Sequence, residues 1–394
     1  MELGLHIESN SSWIAGSLYS QTIASSLAQV PRSERPEISL LYPFGSESSS
    51  ATFLQHDIHA KLPYSYRDNH PLLHKLRAIK RTLIQRQSIP WSLERQVLRN
   101  RIDLIFPCQE SLGPFFPIPW IGWIPDFQHK RFPGFFDNQV RSYRDSRYQQ
   151  LIHESSHCIV SSEDAKNDLL THYDADPEKV STYKFCTFAE DSWFDGNPAE
   201  TASRLGLPEK FLIFPSQFWK HKNHLKLFQS IRRVKEAGLS DIKLVLTGNR
   251  HDYRFPEYGQ ELTSCLKAPD LKDTIIHAGL LPRAEQIQLI RQAAAVIQPS
   301  YFEGWSMLVE DARALGKHIL LSDIPVHREQ AYNNSTYFNP HSTSEITQAI
   351  QKTWPTLTAG LSLASETEAR AQNKKRAYKN GTALIEMFNR VNSN

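Results

Sequence analysis

Short apolar runs alternate with amphipathic stretches along the first half of the chain. The runs are bounded by polar or turn residues, a pattern that is typical of buried strands of about four to eight residues. Stretches with helical periodicity separate them, for example at 17–28 and 138–154. Strands that alternate with helices indicate an α/β domain with a parallel sheet. The predicted strands of this half are Leu3–Ile7, Ile38–Tyr42, Ile102–Phe106, Trp120–Ile124 and Cys158–Ser161.

The same alternation resumes after a polar stretch at 188–208, which contains Pro and Gly and therefore indicates a domain boundary. Helices separate most of the strands beyond it, so we expect a doubly wound sheet that binds ligands at the carboxyl ends of its strands. The predicted strands are Phe211–Phe214, Lys243–Leu246, Thr274–Ala278, Ala295–Gln298, His318–Ser322 and Thr336–Phe338.

These patterns divide the chain into two Rossmann-like domains, 1–190 and 191–364. The segment 365–394 is predicted to form a polar helix that packs back on the first domain. A length of 394 residues agrees with two to three domains at roughly 150 residues each. Two such domains imply a cleft between facing sheets, and a cleft is the usual ligand site. The predicted architecture alone is compatible with a glycosyltransferase, a sugar epimerase or a two-lobed binding protein.

Composition excludes some function classes. Lys plus Arg number 45 and Asp plus Glu number 42, which gives a net charge of +3. Bulk charge therefore does not favour a nucleic-acid partner. The N-terminal sequence lacks the pattern of a secretory signal, and the four cysteines form no CxxC pair. We therefore expect reduced thiols, a cytoplasmic protein and no metal site.

The most informative segment is 298–329, in which a predicted strand is followed by a loop and a helix. Glu303 lies in the loop, where its carboxylate can accept hydrogen bonds from hydroxyl groups. The free amides at the start of the helix, from Ser306 to Val309, suit a diphosphate. Asp311 lies one turn inside the helix and could face the same ligand. An ordinary strand, turn and helix with a solvated acidic face would show the same spacing.

A second segment, 211–228, is a buried strand that opens into a polar, basic loop. Gln217 and Lys222 lie in this loop, and Asn223 is predicted to be the N-cap residue of the next helix. A cation at this strand end could face the same diphosphate. A solvated basic loop is the alternative interpretation.

Together these two segments resemble retaining glycosyltransferases of the GT-B fold, of the family-4 type. The family carries a basic strand loop that ends in KN, as Lys222–Asn223 does here, and two carboxylates that bracket a GFG-like turn. The stretch 301–329 matches the second motif without a gap. The resemblance covers about 208–345 well and the first domain weakly.

The resemblance implies that Glu303 binds hydroxyl groups of the donor sugar and that Lys222 contacts the diphosphate. Asp311 occupies the position of the family's second Glu, which holds the ribose, and Glu310 beside it is the alternative. Gln217 replaces the family's arginine. The donor-binding residues implied in this domain are Gln217, Lys222, Gly304, Trp305, Ser306, Met307, Leu308, Val309, Glu310 and Asp311.

The resemblance also implies residues in the first domain. Gly16 corresponds to the family's first glycine loop and is expected to contact the donor. Asp126 and His129 lie in a stretch that resembles the family's His-Asp loop, although Pro125 replaces the histidine. We expect Asp126 and His129 to act on the acceptor side, together with Glu303 as the catalytic set. Stabilisation of a turn is the alternative role for Asp126 and His129.

The implied function is a retaining glycosyltransferase that moves a sugar from a nucleoside diphosphate sugar to a hydroxyl of a glycan, a polysaccharide or a lipid-linked sugar. An epimerase of the same fold and a non-catalytic sugar-binding protein are the alternatives. The family needs no cofactor and no divalent metal ion. The basic amphipathic stretch 72–86 is predicted to be a helix that packs in the core or lies on an anionic membrane.

Overall fold

The computed structural model describes residues 1–7, 14–46, 57–65, 91–250, 252, 254–330 and 332–393. The predicted helix at 72–86 lies outside these residues. The chain divides into two units. Unit 1 comprises Met1–Phe188 with Lys374–Asn394, and unit 2 comprises Ala189–Asn373. In the part of the chain that is described, no helix is both long and apolar enough to cross a membrane.

Unit 1 contains a seven-stranded parallel sheet in the order β3-β2-β1-β4-β5-β6-β7. The central strands β1, β4 and β5 are almost fully buried, as expected for a sheet covered on both faces. Strand order reverses beside β1, and ligands bind doubly wound sheets at such a point. The strands are β1 Glu2–His6, β2 Glu37–Pro43, β3 Ala60–Tyr64, β4 Leu104–Cys108, β5 Trp120–Ile124, β6 His157–Val160 and β7 Val180–Thr182.

Side-chain caps begin two of the helices of unit 1. Asp137 accepts a hydrogen bond from the amide of Val140, and Ser162 accepts one from the amide of Ala165. Such caps satisfy backbone donors that the first helical turn leaves unpaired. The helices are α1 Ile14–Ala28, α2 Trp91–Arg99, α3 Gln128–Arg131, α4 Asn138–Glu154 and α5 Glu163–His172.

Unit 2 contains a six-stranded parallel sheet in the order β10-β9-β8-β11-β12-β13. Its strands are β8 Leu212–Pro215, β9 Leu244–Thr247, β10 Ile275–His277, β11 Ala295–Gln298, β12 Ile319–Ser322 and β13 Ser335–Phe338. Its helices are α6 Pro198–Arg204, α7 His224–Glu236, α8 Pro256–Lys267, α9 Arg283–Gln292, α10 Met307–Ala314, α11 Pro325–Glu329 and α12 Thr343–Thr353. The last helix, α13, spans Leu363–Ser393 and contributes residues to both units.

The prediction of two α/β domains with parallel sheets is confirmed. Two edge strands were missed. Strand β3 contains Lys61 and Pro63, which an edge position tolerates but which obscure a strand pattern. Strand β7 has three residues, too few to show a periodicity.

Candidate functional site

The loop after β8 carries the predicted phosphate-binding lysine. A 3-10 turn, Lys220–Lys222, leads into Asn223. Asn223 occupies the predicted N-cap position before α7, but its backbone is left-handed, with φ of 64°, and its side chain makes no capping hydrogen bond. Instead its Nδ2 donates to the carbonyl oxygens of Pro299 and Pro340, at 2.9 Å each. Asn223 therefore joins this loop to the segments that follow β11 and β13.

Glu303, in the loop after β11, forms an ion pair with Lys222. The Nζ atom lies 2.7 Å from Oε1 and 3.0 Å from Oε2 of Glu303. Nε2 of Gln298, the last residue of β11, donates to Oε1 at 2.9 Å. Burial acts to raise the pKa of Glu303, but the charge and hydrogen bonds of Lys222, together with smaller effects of Ser300 and His327, lower it overall. Glu303 is thus a buried, ionised carboxylate held in one orientation.

The start of α10 has a defined set of amide donors. Ser306 is the N-cap, and its Oγ accepts a hydrogen bond from the amide of Val309. The amide of Ser306 donates to Oε1 of Gln330. Because the first amides of a helix have no partner within the helix, those of Met307 and Leu308 remain to bind an anion. Two of the four amides predicted to bind the diphosphate, those of Ser306 and Val309, therefore already donate hydrogen bonds within the protein.

The two acidic residues of α10 have different partners. Asp311 is buried and accepts two hydrogen bonds of 2.6 Å from Nη1 and Nη2 of Arg283, at the start of α9. Glu310 is also buried, and its Oε1 accepts a hydrogen bond from Nε2 of Gln330. A carboxylate oxygen can accept more than one hydrogen bond, so the pair with Arg283 leaves Asp311 capacity to accept further hydrogen bonds.

Gln217 lies where the backbone of two strand ends comes into close contact. Gly248, just after β9, has φ of +108°, and a Cβ atom there would lie 2.4 Å from the carbonyl oxygen of Ser216 and 3.2 Å from the amide nitrogen of Gln217. A residue with a side chain at 248 would displace this loop. Gly304 and Trp305 are partly buried between Glu303 and the start of α10.

In unit 1, Gly16 is the third residue of α1 and is buried. Asp126 follows β5, and its Oδ1 accepts a hydrogen bond from the amide of Gln128 at 2.9 Å. Nη2 of Arg144 lies 3.6 Å from the same oxygen. Asp126 therefore stabilises the turn at the carboxyl end of the sheet, and its partly exposed carboxylate is also available to a ligand.

His129 is buried and belongs to a hydrogen-bonded cluster. Its Nε2 lies 2.9 Å from Oδ1 of Asp145, to which the hydroxyl of Tyr173 also donates at 2.6 Å. Lys130 completes the cluster with an ion pair of 2.7 Å to Asp145. Burial raises the pKa of Asp145, but hydrogen bonds from Lys130, Tyr173 and His129 lower it overall to about 2. Burial lowers the pKa of His129, which favours a neutral imidazole.

Sequence reasoning missed four polar residues of these sites. Arg283 and Gln330 lie far along the chain from their partners on α10, and Asp145 lies 16 residues from His129. Gln298 was assigned only to a strand. No local sequence spacing identifies these residues, because each meets its partner only when the chain folds.

Comparison with known proteins agrees with the geometry of unit 2. Residues 200–354 match the family described as Glycosyl transferases group 1. The chain is 24% identical over 200 residues to the O-antigen chain mannosyltransferase RfbU of Salmonella typhimurium, covering 51% of each chain. It is 25% identical over 181 residues to the D-inositol 3-phosphate glycosyltransferase of Thermobifida fusca, covering 44% of this chain and 41% of that one. These matches span about half the length of both relatives.

The chain also resembles the crystal structure of HepE from Anabaena in complex with UDP, with a TM-score of 0.68. The match has 15% sequence identity and covers 99% of this chain and 100% of HepE. At this identity the likeness shows the fold, which is GT-B. Residues 200–354 of unit 2 are thus similar to the family Glycosyl transferases group 1, and the likeness to solved structures shows a GT-B fold.

Proposed function

We propose that the protein is a retaining glycosyltransferase that moves a sugar from a nucleoside diphosphate sugar to an acceptor hydroxyl of a glycan, a polysaccharide or a lipid-linked sugar. The ion pair between Lys222 and Glu303, beside the first amides of α10, carries this proposal. It places a cation for the diphosphate next to a carboxylate for the sugar hydroxyls. The relatives are named as a mannosyltransferase and an inositol phosphate glycosyltransferase, which supports the same class of reaction.

On the donor side, the diphosphate binds the amides of Met307 and Leu308 and the Nζ atom of Lys222. An ammonium group has three N–H donors, and the two hydrogen bonds to Glu303 leave one for a phosphate oxygen. The side chain of Lys222 is 18% exposed, so a ligand can reach it. Asp311, held by Arg283, binds the ribose hydroxyl groups.

Glu303 orients the transferred sugar by accepting hydrogen bonds from its hydroxyl groups, and its negative charge favours the positive character that develops at the anomeric carbon. In the transfer step the bond between the anomeric carbon and the diphosphate oxygen breaks. The acceptor oxygen bonds to the anomeric carbon on the same face, and its proton passes to the leaving diphosphate. Asp126, at the carboxyl end of β5, orients the acceptor hydroxyl.

The test is release of nucleoside diphosphate from a panel of UDP, GDP and ADP sugars, with and without acceptor sugars. One or more donors should be consumed, and Glu303→Gln should lower kcat by about tenfold or more while the affinity for free nucleoside diphosphate changes little. Glu261→Gln, at an exposed position of α8, is the matched control and should keep full turnover. The configuration of the product, by NMR, should match that of the donor.

Other outcomes would identify the alternatives. An epimerase would convert the donor sugar without transferring it to an acceptor. A non-catalytic protein would bind donors and release no nucleoside diphosphate in any combination. Full turnover in Glu303→Gln would contradict the role that we propose for this carboxylate.

A further inference from the structure

Three side chains of metal-ligating type converge at the amino end of the sheet in unit 1. They are Glu2, the first residue of β1, Glu37, the first residue of β2, and His59, just before β3. One ligand atom from each lies within 4.8 Å of the other two, and no other group of three in the described residues meets this criterion. The cluster combines two carboxylates with an imidazole from three neighbouring strands.

Strand pairing brings these residues together. Glu2 and Glu37 are register partners on the parallel strands β1 and β2, so their side chains leave the sheet on the same face. The amide of His59 donates to the carbonyl oxygen of Ile38 at 2.8 Å, which fixes the third residue beside the other two. Two carboxylates side by side repel each other, so the arrangement calls for a cation between them.

The spacing of the ligand atoms fits a zinc ion. Nδ1 of His59 lies 3.1 Å from Oε2 of Glu2 and 3.4 Å from Oε2 of Glu37. Zinc–nitrogen and zinc–oxygen bonds of about 2.0–2.2 Å in a tetrahedron place neighbouring ligand atoms about 3.3–3.6 Å apart. A zinc ion would replace the proton that Nδ1 shares with the carboxylates.

The cluster is also accessible and oriented. The hydroxyl of Ser39 donates to Oε1 of Glu2, and hydrogen bonds of this kind orient metal ligands. The side chain of Glu2 is 13% exposed, whereas those of Glu37 and His59 are each 58% exposed. An ion can therefore enter from solvent, and the two exposed side chains can adjust to close around it.

A pocket beside the cluster has room for a further ligand. Its empty volume is about 510 Å³, including its open mouth, and its lining includes Glu37, His59, Arg35 and Asp57. Nη2 of Arg35 lies 3.0 Å from Oδ2 of Asp57, so these two charges compensate each other. A water molecule in this pocket can complete the four-coordinate shell that zinc prefers.

Ligand chemistry selects among the divalent ions. Mg²⁺ and Ca²⁺ prefer shells of oxygen ligands, whereas an imidazole with carboxylates suits Zn²⁺. We propose that Glu2, Glu37 and His59 bind one Zn²⁺ ion, with water as the fourth ligand, and that the ion fastens the amino ends of β1, β2 and β3. The expectation of no metal site rested on local spacing, which does not reveal this cluster because Glu2 and His59 are 57 residues apart.

The zinc site is separate from the proposed transfer chemistry. Its ligands lie at the amino ends of parallel strands, whereas Asp126, which we propose orients the acceptor, follows the carboxyl end of β5. The two ends are opposite edges of one sheet. We therefore expect zinc to stabilise the folded chain and to leave the rate of sugar transfer unchanged.

The test is calorimetric titration of the untagged full chain, stripped of metal with EDTA and then dialysed, with ZnCl₂ near neutral pH. One equivalent should bind with a Kd of about 1 μM or lower, and MgCl₂ should not compete. The melting temperature should rise with zinc, because the three ligands meet only in the folded chain. Co²⁺ in place of zinc should show the visible absorption bands of a tetrahedral site. Failure to bind one equivalent of zinc overturns the proposal, since a protonated His59 alone would then hold the two carboxylates together.

Variants locate the ion. Glu37→Gln and His59→Gln should each weaken zinc binding by about tenfold or more and remove the Co²⁺ bands. His153→Gln, at an exposed position of α4, is the matched control and should bind zinc as the wild type does. Because the side chains of Glu37 and His59 are largely exposed, both variants should fold, and their melting temperatures without zinc check this. Equal zinc affinity in all three variants overturns the assignment, because the ion would then be bound elsewhere.

Activity tests the proposed role of the ion. Adding zinc to the stripped protein should raise its melting temperature without changing the initial rate of sugar transfer, and His59→Gln should transfer at the wild-type rate. A transfer rate that depends on zinc in the wild type but not in His59→Gln would overturn the purely stabilising role.

Discussion

Lys222 and Glu303, which lie 81 residues apart in the sequence, form an ion pair with two hydrogen bonds between the loops that follow β8 and β11. Both side chains are largely buried, with 18% and 9% of their surface exposed. Removing one partner of such a pair leaves the other as an uncompensated buried charge. The two residues must therefore be tested together, for stability as well as for ligand binding.

Lys222→Ala should weaken binding of a nucleoside diphosphate much more than binding of the matching nucleoside. A charge-assisted hydrogen bond contributes about 1.5–3 kcal/mol, and the nucleoside lacks the diphosphate that receives it. Calorimetry with both ligands checks this, with Lys226→Ala on α7 as the control. Equal losses for both ligands would show that Lys222 only shapes the loop.

Arg283→Gln and Asp311→Asn should have similar effects on stability and on nucleotide binding. Loss of Arg283 leaves the buried Asp311 carboxylate without its partner, at a cost of about 3 kcal/mol in unfolding free energy. Binding of nucleoside and of nucleoside diphosphate should fall by the same factor, because the ribose is common to both. Denaturant unfolding and calorimetry measure the two effects.

The neighbouring carboxylate provides the control for this prediction. Glu310→Gln should leave nucleoside affinity nearly unchanged, since we propose that Asp311, and not Glu310, binds the ribose. Loss of nucleoside binding in Glu310→Gln with normal binding in Asp311→Asn would assign the ribose to Glu310 and shift the motif by one residue.

Transfer should persist in excess EDTA. We expect the leaving diphosphate to be neutralised by Lys222 and by the amides of Met307 and Leu308, which are fixed parts of the protein. Initial rates with and without chelator should agree within error. Activity that EDTA abolishes and Mg²⁺ or Mn²⁺ restores would contradict this expectation.

Lys317 should make the stability of the protein depend on pH above neutrality. Burial lowers its pKa from 10.5 to about 8 in the folded state. Between these values the unfolded state binds more protons, so the contribution of Lys317 raises the unfolding free energy as pH increases from 8 to 10.5, by about 3 kcal/mol in total. Below pH 8 its contribution is constant.

The measurement is the difference in unfolding free energy between the wild type and Lys317→Met from pH 7 to pH 10.5. The unfolding free energy of the wild type should rise relative to that of the variant across this range. A difference that stays flat would mean that Lys317, whose Nζ donates to the carbonyl oxygens of Ala293 and Gly360, keeps its ordinary pKa.

The sequence predicted the sheets well because their strands are short apolar runs between polar turns, and its resemblance to a glycosyltransferase family singled out Glu303 and Lys222. It could not predict the pairing of Asp311 with Arg283, which depends on how α9 and α10 pack in unit 2. Asn223 shows a different limit. Its N-cap position before α7 was predicted correctly, but asparagine is common both at N-caps and in left-handed backbone, so residue type alone does not tell whether its side chain caps the helix.

The left-handed turn at Asn223 has a consequence for motion. Its side chain donates hydrogen bonds to Pro299 and Pro340, and the carbonyl oxygen of His221, two residues earlier, accepts a hydrogen bond from the amide of Tyr301 at 2.8 Å. The loops that bear Lys222 and Glu303 are thus cross-linked by backbone as well as by side chains. The amide of Tyr301 should exchange its hydrogen only when the contact between the two loops opens, so we expect the proposed donor site to be preorganised before any ligand arrives.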